Sequence, residues 1–213
     1  MSRLLPLVGL ILTAACSPGE GPASAAPQEP TPPGFQTAVF AGGCFWSEEK
    51  AFDGQPGVRS AVSGFVGGTR PNPTYEQVVR GGTGYREAVQ VTFDPAVVSY
   101  RTLVDRYWRT IDPTDPAGQF CDQGPSYVSA VYATEAQTAT ARASRTAAQA
   151  ALAARASTDR PFVTPIHPAM RFWPVGAEHQ DFARRHPAQY EAYRIGCRRS
   201  VRLRALWGDA AVG

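Results

Sequence analysis

Residues that bind metals or form disulfides are scarce in this chain. Its 213 residues include four cysteines, three histidines and two methionines. The cysteines are far apart, none forms a CxxC motif, and none stands with a histidine at the spacing of a zinc site. This pattern argues against a structural zinc ion and against a thioredoxin-like active site. We therefore expect neither a metal ion nor a bound cofactor.

A strong excess of charge of either sign is also missing. Lys and Arg number 21 against 18 Asp and Glu, which gives a formal net charge of +3, and the arginines are scattered along the chain. So weak and dispersed a charge argues against nucleic-acid binding. Because 43% of the residues are hydrophobic, the chain can fill one globular domain with ragged ends. We expect that domain to be a monomer.

The N-terminus carries an apolar run that is too short to span a membrane. Arg3 precedes the run from Leu4 to Ala15, and small residues lead to Cys16. This arrangement predicts a secretory signal peptide over residues 1–16. The LTAAC ending resembles a bacterial lipobox, which makes Cys16 a candidate for lipidation, while the later PASAA stretch offers ordinary signal cleavage as the alternative. We expect an exported, periplasmic protein, anchored to the membrane if Cys16 is lipidated.

Composition divides the remaining chain in two. Residues 17–34 are rich in Pro, Ala, Gly and Ser, which predicts a disordered linker. Residues 35–213 alternate short strand-like runs with helical patterns and show no internal repeat, which predicts one mixed α/β domain. Thr74 and Gln77 are spaced like a capping box, and Ser99 is a candidate N-cap. After EHQDFARRH, expected to be a short helix, we expect a coil-rich C-terminal tail.

Cys44 stands in the sequence AVFAGGCFWSEEKAF, between two glycines and two aromatic residues. A cysteine in the first turn of a helix lies where unpaired backbone N–H groups and the helix dipole stabilise a thiolate, so we expect its pKa to fall. The alternative is that Cys44, Phe45 and Trp46 are all core residues, since free cysteine is often buried. The local residues leave both interpretations open.

Longer stretches of the chain resemble a known family. GCFWSEEKAFDGQPGV is similar to the signature of the A-type peptide methionine sulfoxide reductases. SGFVGG, PNPTYEQVVRGGTGYREAVQVTFDP, FCDQGPSYVSAVY and EHQDF follow in the family's order and spacing, so that the resemblance covers about residues 35–181. It implies a two-layer α/β (α+β) sandwich with a mixed sheet, related to the ferredoxin-like plait. It also implies reduction of protein-bound and free methionine S-sulfoxide, here for repair of oxidised exported proteins.

Reduction of a sulfoxide requires a nucleophile at sulfur and a proton for the departing oxygen. The resemblance implies that Cys44 is the nucleophile and passes to a sulfenic acid. Glu87, in TGYREAVQV, matches the family's general acid, and its place at the start of an apolar strand predicts a burial that raises its pKa. Without the motif, Glu87 would be read as a surface residue of an edge strand.

The same resemblance assigns the remaining contacts with substrate. Tyr75 and Tyr127 match the two hydroxyls that bind the sulfoxide oxygen. Phe45 and Trp46 match an aromatic cage for the S-methyl group. Asp122 matches an acidic residue that positions the site or binds the substrate backbone.

Turnover needs a second thiol to resolve the sulfenic acid into an intramolecular disulfide. The C-terminal region lacks the glycine-rich tail with two cysteines found in some relatives. We favour Cys197, which follows Ile195 and Gly196 in the expected flexible tail and is flanked by arginines. Cys121 is the alternative, although side chains that are consecutive in an extended chain point to opposite sides, so Cys121 should point away if Asp122 faces the site. A thioredoxin-like protein or a dithiol would then reduce the enzyme.

Two other classes of function are compatible with a reactive Cys44. One is a different thiol enzyme, such as a peroxidase that attacks hydroperoxides. The other is a non-catalytic exported module that binds methionine-containing segments. Turnover of a sulfoxide peptide with dithiothreitol separates all three.

Overall fold

The computed structural model of the chain describes residues 30–156 and 160–212. The predicted signal peptide, the lipidation candidate Cys16 and residues 17–29 of the predicted linker lie outside the described residues. The strands are β1 (Gln36–Ala41), β2 (Val58–Val66), β3 (Arg86–Phe93), β4 (Gly118–Gln119), β5 (Asp122–Gln123), β6 (Ala130–Ala133), β7 (Ile166–Pro168) and β8 (Trp173–Pro174). The helices are α1 (Phe45–Phe52), α2 (Tyr75–Val79), α3 (Tyr100–Trp108), α4 (Glu135–Ala156), α5 (Phe182–Arg185), α6 (Pro187–Gly196) and α7 (Arg199–Trp207).

Six of these strands form one mixed sheet in the order β7-β6-β1-β3-β2-β8. Neighbouring strands are antiparallel except for β6 and β7, which are parallel. Strands β4 and β5 form a separate small hairpin, and a 3-10 turn over Pro125–Tyr127 follows it. The predicted mixed α/β architecture is therefore confirmed.

The main core lies between one face of the sheet and the helices. Side chains alternate along a strand, so Phe40 of β1 faces this core, whereas its neighbours Val39 and Ala41 face a smaller cluster that includes Phe172. The large helical side chains of the main core come from α1, α3, α4 and α7: Phe52, Tyr107, Trp108, Leu152, Leu203 and Trp207.

Two helices begin at the capping residues that the sequence predicts. The Thr74 hydroxyl accepts the N–H of Gln77, and the Gln77 side chain accepts the N–H of Thr74, which completes a capping box. The Ser99 hydroxyl accepts the N–H of Thr102. These bonds satisfy backbone donors that a helix start would leave unpaired. The first cap bears on function because α2 carries Tyr75.

The alanine-rich helix α4 packs on the core through small side chains. Ala141, Ala148 and Leu152 are buried, and their spacing places them on one helical face. Trp108 donates its indole N–H to the Ser144 hydroxyl of this helix at 2.9 Å. Neither α4 nor any other helix in the described ranges is long and apolar enough to cross a membrane.

The prediction of a coil-rich C-terminal tail is wrong. Helices α6 and α7 follow α5 almost without interruption. Helix α7 buries Leu203 and Trp207 in the main core, and the Trp207 indole N–H donates to the Ile111 carbonyl at 3.0 Å. The arginine-rich sequence does not predict this helix, because the apolar face of α7 is narrow and its stability comes from tertiary packing.

Candidate active site

Cys44 lies at the junction between β1 and α1, where it is the N-cap residue of the helix. Gly43 reaches this junction with a φ of 84°, and a Cβ there would lie 2.6 Å from the Gln119 Cβ. Both facts require glycine at this position. The Cys44 side chain is 6% exposed, and Cys44 is the free cysteine of the described ranges.

The expected fall in the pKa of Cys44 is wrong. Burial raises the pKa of the thiol well above its ordinary value, and the charges of Glu87 and Asp122 raise it further. Hydrogen bonds from the Trp46 backbone and from the Tyr193 side chain lower it, but by less. The helix start therefore stabilises a thiolate, as the sequence suggests, but loss of solvent outweighs that effect.

Glu87 is on β3, directly beside the start of α1. Its side chain is 2% exposed, and its Oε2 accepts the N–H of Phe45 at 3.1 Å. Burial raises the pKa of Glu87 to about 8, with a contribution from Asp122, against the opposing effect of the Phe45 bond. The predicted burial of Glu87 is confirmed, and a pKa raised to about 8 favours the protonated carboxyl at neutral pH.

Two tyrosines approach the same place from different elements. Tyr75 opens α2, and Tyr127 ends the 3-10 turn after the β4–β5 hairpin. Burial raises the pKa of Tyr75 to about 12 and raises that of Tyr127 strongly, and Glu87 is the next largest cause for both. Cys44 also acts on both hydroxyls. The structure thus brings the four predicted groups into one electrostatic neighbourhood.

Asp122 joins this neighbourhood with a partner that the sequence did not reveal. It is half-buried on β5, and the Tyr193 hydroxyl of α6 donates to its Oδ2 at 2.5 Å. Burial raises the pKa of Asp122, while the Tyr193 bond and the charge of Arg199 oppose the rise. The one available signal for Tyr193 was its position one helical turn before Cys197.

Phe45 forms the inner aromatic wall of the site. Its ring is fully buried in a cluster with Phe65 and Trp173. The ring centroid of Phe45 lies 6.3 Å from that of Tyr75 and 5.4 Å from that of His179. His179 also packs against Tyr75, with centroids 4.2 Å apart, which agrees with a packing role for this histidine.

Trp46 forms the outer wall and is partly exposed. It stacks face to face on Phe182 of α5, with ring centroids 3.7 Å apart. Tyr193 also packs against it, in an edge-on arrangement with ring centroids 6.0 Å apart. Trp46, the outer member of the aromatic pair, is therefore held by two C-terminal helices.

Cys121 and Cys197 form a disulfide, with their Cα atoms 4.8 Å apart. The bond joins the turn between β4 and β5 to the C-terminal end of α6. Cys121 is exposed, whereas Asp122 is half-buried, which agrees with the expectation that Cys121 points away from the site. The Cys121 sulfur nevertheless lies 3.9 Å from Asp122 Oδ1, so the two side chains do not alternate as they would in an extended strand. The alternation rule holds for an extended strand, whereas Cys121 sits in a tight turn after Phe120, whose φ is 59°.

One group in the described ranges offers three side chains that could hold a metal ion. The Cys121 and Cys197 sulfurs and a carboxylate oxygen of Asp122 all lie within 4.8 Å of one another. The two sulfurs form a disulfide with each other in this structure, so the group is a disulfide beside a carboxylate and not a set of three metal ligands.

Arg199 anchors α7 behind the site. It is 1% exposed, and its guanidinium donates to Glu48 of α1 at 2.5 Å and to the Thr110 carbonyl at 2.7 Å. Arg202, on the same helix, pairs with Asp112 at 2.6 Å. Arg199 and Arg202, which follow Cys197 in sequence, are thus committed to ion pairs within the fold.

Comparison with known proteins places this constellation in a family. The family model described as peptide methionine sulfoxide reductase matches residues 36–211. The chain belongs to the peptide methionine sulfoxide reductase family. MsrA 2 of Caulobacter vibrioides is 46% identical to this reductase over 208 residues, which cover 98% of this chain and 100% of the relative. MsrA 2 of Rhizobium meliloti is 49% identical over 177 residues, which cover 83% and 85%.

Solved structures agree with this assignment. Methionine sulfoxide reductase A of Corynebacterium diphtheriae matches the reductase with a TM-score of 0.67 and 33% identity, over 73% of this chain and 77% of that one. Reduced Mxr1 from Saccharomyces cerevisiae shares the fold, with a TM-score of 0.66, 24% identity and coverage of 73% and 88%. The resemblance predicted from the motifs is confirmed, and the chain is a thiol-dependent oxidoreductase of the A type.

Proposed function

We propose that this reductase returns methionine S-sulfoxide, in proteins and as the free amino acid, to methionine through a sulfenic acid on Cys44. One observation carries the proposal. The free thiol of the described ranges lies beside Glu87, a carboxyl group that burial keeps protonated at neutral pH. Sulfoxide reduction needs this combination, because a thiolate attacks sulfur while the departing oxygen takes up a proton.

In the first step the Cys44 thiolate attacks the sulfoxide sulfur, and Glu87 gives its proton to the oxygen. The sulfur–oxygen bond of the substrate breaks, the oxygen becomes the hydroxyl of the Cys44 sulfenic acid, and methionine leaves. Cys44 loses the two electrons that the substrate sulfur gains. The hydroxyls of Tyr75 and Tyr127 hold the oxygen where negative charge develops.

The aromatic walls select the substrate. Phe45 and Trp46 line the place beside Cys44 where an S-methyl group would lie. Burial of one methyl group contributes only about 1 kcal/mol, so discrimination between the two sulfoxide epimers depends on shape. Asp122, at the edge of the site, is placed to accept a backbone N–H of the substrate or to order its neighbours.

The Cys121–Cys197 bond supports a recycling role for both of these cysteines. The Cys197 thiol attacks the Cys44 sulfenic acid, which forms a Cys44–Cys197 disulfide and releases water. The Cys121 thiol then attacks the Cys197 sulfur, its proton passes to the departing Cys44 thiolate, and the observed disulfide remains. Cys197 acts first in this scheme because it caps α6 one helical turn after Tyr193, a side chain that acts on the Cys44 thiol.

A thioredoxin-like protein or a small dithiol then reduces the Cys121–Cys197 bond, of which the Cys121 side is exposed. The signal peptide predicted over residues 1–16 favours repair of exported proteins in the periplasm, with a lipid anchor if Cys16 is modified. Mass spectrometry of the mature N-terminus distinguishes a diacylated Cys16 from cleavage at a later site.

The decisive assay supplies a peptide with each methionine sulfoxide epimer, together with dithiothreitol. We expect methionine to form from the S epimer alone, and Cys44→Ser, with its far less acidic hydroxyl, to form none. Consumption of hydrogen peroxide is measured in parallel. Faster reaction with peroxide than with sulfoxide would indicate a peroxidase, and binding without turnover would indicate a methionine-binding module.

A further inference from the structure

The first step needs a Cys44 thiolate, but the site makes that thiolate costly. Cys44 is buried, and two carboxyl groups act against its negative charge. Glu87 cannot accept the thiol proton, because the reaction needs Glu87 in its protonated form. A second group must therefore receive the proton.

Tyr193 lies between Cys44 and a suitable acceptor. Its hydroxyl donates to Asp122 Oδ2 at 2.5 Å, and the same side chain lowers the pKa of Cys44 through a hydrogen bond that favours the thiolate. A tyrosine hydroxyl carries one proton, and its oxygen can accept. While the hydroxyl donates to Asp122, its oxygen is left to accept the Cys44 S–H, so the three groups form a continuous chain from sulfur to carboxylate.

We propose that Tyr193 and Asp122 remove the proton of Cys44. The Cys44 S–H bond breaks and its proton passes to the Tyr193 oxygen, while the Tyr193 proton passes to Asp122 Oδ2. The net charge of the site is unchanged, no electrons move, and Cys44 is left as a thiolate that accepts a hydrogen bond from Tyr193. This inference rests on the proposed function, because it supplies the nucleophile for that reaction.

The surroundings of the chain single out Asp122 as the acceptor. Around Cys44, Tyr193 and Asp122 lie the following titratable and charged groups: Glu87 on β3, Tyr75 on α2, Tyr127 in the 3-10 turn, Tyr190 on α6 and Arg199 on α7. Glu87 is protonated, the tyrosines are neutral, and Arg199 is a cation. Burial raises the pKa of Asp122, while Tyr193 and Arg199 oppose that rise, so an ionised Asp122 holds a proton more strongly than an exposed carboxylate would.

Two links hold this chain together across the fold. The Tyr193–Asp122 hydrogen bond and the Cys197–Cys121 disulfide both join α6 and its C-cap to the β4–β5 hairpin. Asp122 is next to Cys121 in sequence, and Tyr193 precedes Cys197 by one helical turn. Trp46 packs edge-on against the Tyr193 ring. Together these contacts hold the Tyr193 hydroxyl beside Asp122.

The test measures the thiol itself. With the Cys121–Cys197 disulfide intact, Cys44 is alkylated with iodoacetamide over a range of pH, and the peptide that contains Cys44 is quantified by mass spectrometry. Tyr193→Phe should slow alkylation at pH 7 by about tenfold and move the midpoint of the profile up by about one pH unit. Tyr190→Phe is the matched control on the same helix, since its hydroxyl bonds to Ser47, and it should follow the wild-type profile.

Asp122→Asn decides between two roles of the carboxylate. If Asp122 acts only as a nearby negative charge, its removal favours the thiolate, and alkylation becomes faster. If Asp122 accepts the proton, its loss makes alkylation at pH 7 slower, again by about tenfold. Faster or unchanged alkylation in Asp122→Asn overturns the proposal, and this variant gives the answer even if Tyr193→Phe does not fold.

A single-turnover measurement of methionine release separates this inference from the proposed function. Release should slow in both variants by the same factor as alkylation. If the variants alter alkylation as expected while the wild-type enzyme releases no methionine from sulfoxide, the proton chain stands and the proposed function fails. If the wild type releases methionine and the variants alkylate like it, the function stands and the proton chain fails.

Discussion

The cysteines of this reductase lie in two different settings. Cys44 is buried at the junction of β1 and α1, where consecutive residues of one motif place it. Cys121 and Cys197 are 76 residues apart in sequence and meet at the surface end of α6. The first setting removes solvent from a reacting sulfur. The second leaves a sulfur–sulfur bond partly exposed at the surface.

The difference shows how the two settings depend on each other. The motif segments supply Cys44, Glu87, Tyr75 and Tyr127, but the C-terminal helices supply Tyr193, which reaches back to Asp122 and Cys44. In the proposed mechanism, chemistry at the buried thiol and recycling at the exposed pair therefore both depend on α6. Variants that affect one setting and spare the other test this division.

The largest expected effect separates the two settings completely. Cys197→Ser should still release one methionine per enzyme in a single turnover, because that step needs only the groups around Cys44. With a thioredoxin-type reductant, which reacts with a protein disulfide, multiple turnover should fall to background, and dithiothreitol should restore part of it. Methionine release in rapid-quench and steady-state assays checks both points.

Cys121→Ser tests the other member of this cysteine pair. It leaves Cys197 able to attack the sulfenic acid, so a Cys44–Cys197 disulfide should accumulate and thioredoxin-linked turnover should slow. Peptide mapping of enzyme oxidised by substrate identifies the bond. A Cys121→Ser enzyme that turns over like the wild type would restrict recycling to Cys197.

The next effect concerns only the buried setting. Glu87→Gln keeps the shape of the side chain and removes its proton, so the single-turnover rate at pH 7 should fall by about 10²-fold or more. Circular dichroism first establishes that the variant is folded. A rate equal to that of the wild type would remove Glu87 from the role of acid.

The pH profile sharpens the Glu87 prediction. Because burial raises its pKa to about 8, the protonated form that can donate predominates below that pH. The wild-type rate of sulfenic acid formation should therefore fall as the pH rises through about 8. This alkaline fall should be absent from the residual activity of Glu87→Gln.

A smaller effect is expected from the hydroxyls that hold the oxygen. Tyr127→Phe and Tyr75→Phe should each slow methionine release by about tenfold, which corresponds to the loss of one hydrogen bond to developing charge. Tyr85→Phe is the control from the same aromatic cluster, because its hydroxyl bonds to the Arg70 carbonyl. An equal loss in the control would indicate a packing effect.

The smallest effect concerns the exposed setting alone. Arg198 is exposed beside Cys197, whereas Arg199 and Arg202 are engaged in ion pairs. Arg198→Gln should slow reduction of the disulfide by an acidic thioredoxin-like protein by about threefold at low salt and less at high salt. Arg204→Gln, another exposed arginine, serves as the control, and single-turnover methionine release should not change in either variant.

Expectations from local patterns agree with the structure at several points. The strand before Cys44, the helix after it, the capping box at Thr74 and the buried start of β3 all follow from neighbouring residues. Local patterns do not predict the helical C-terminal tail, because Leu203 and Trp207 stabilise α7 by packing in a core built by distant segments. The alternation of side chains that holds in a strand does not hold at Cys121, because Cys121 lies in the turn between β4 and β5.

By itself, the sequence determined the family, the mixed α/β class and the residues that surround Cys44, because short motifs place those residues on adjacent ends of strands and helices. Only the tertiary structure decided that Cys121 pairs with Cys197, that Tyr193 joins the site and that the pKa of Cys44 is raised. A helix start acts on its own cysteine through nearby backbone groups. Burial, the charges of Glu87 and Asp122 and the disulfide all depend on segments far apart in sequence, and packing around the buried Glu48–Arg199 pair brings those segments together.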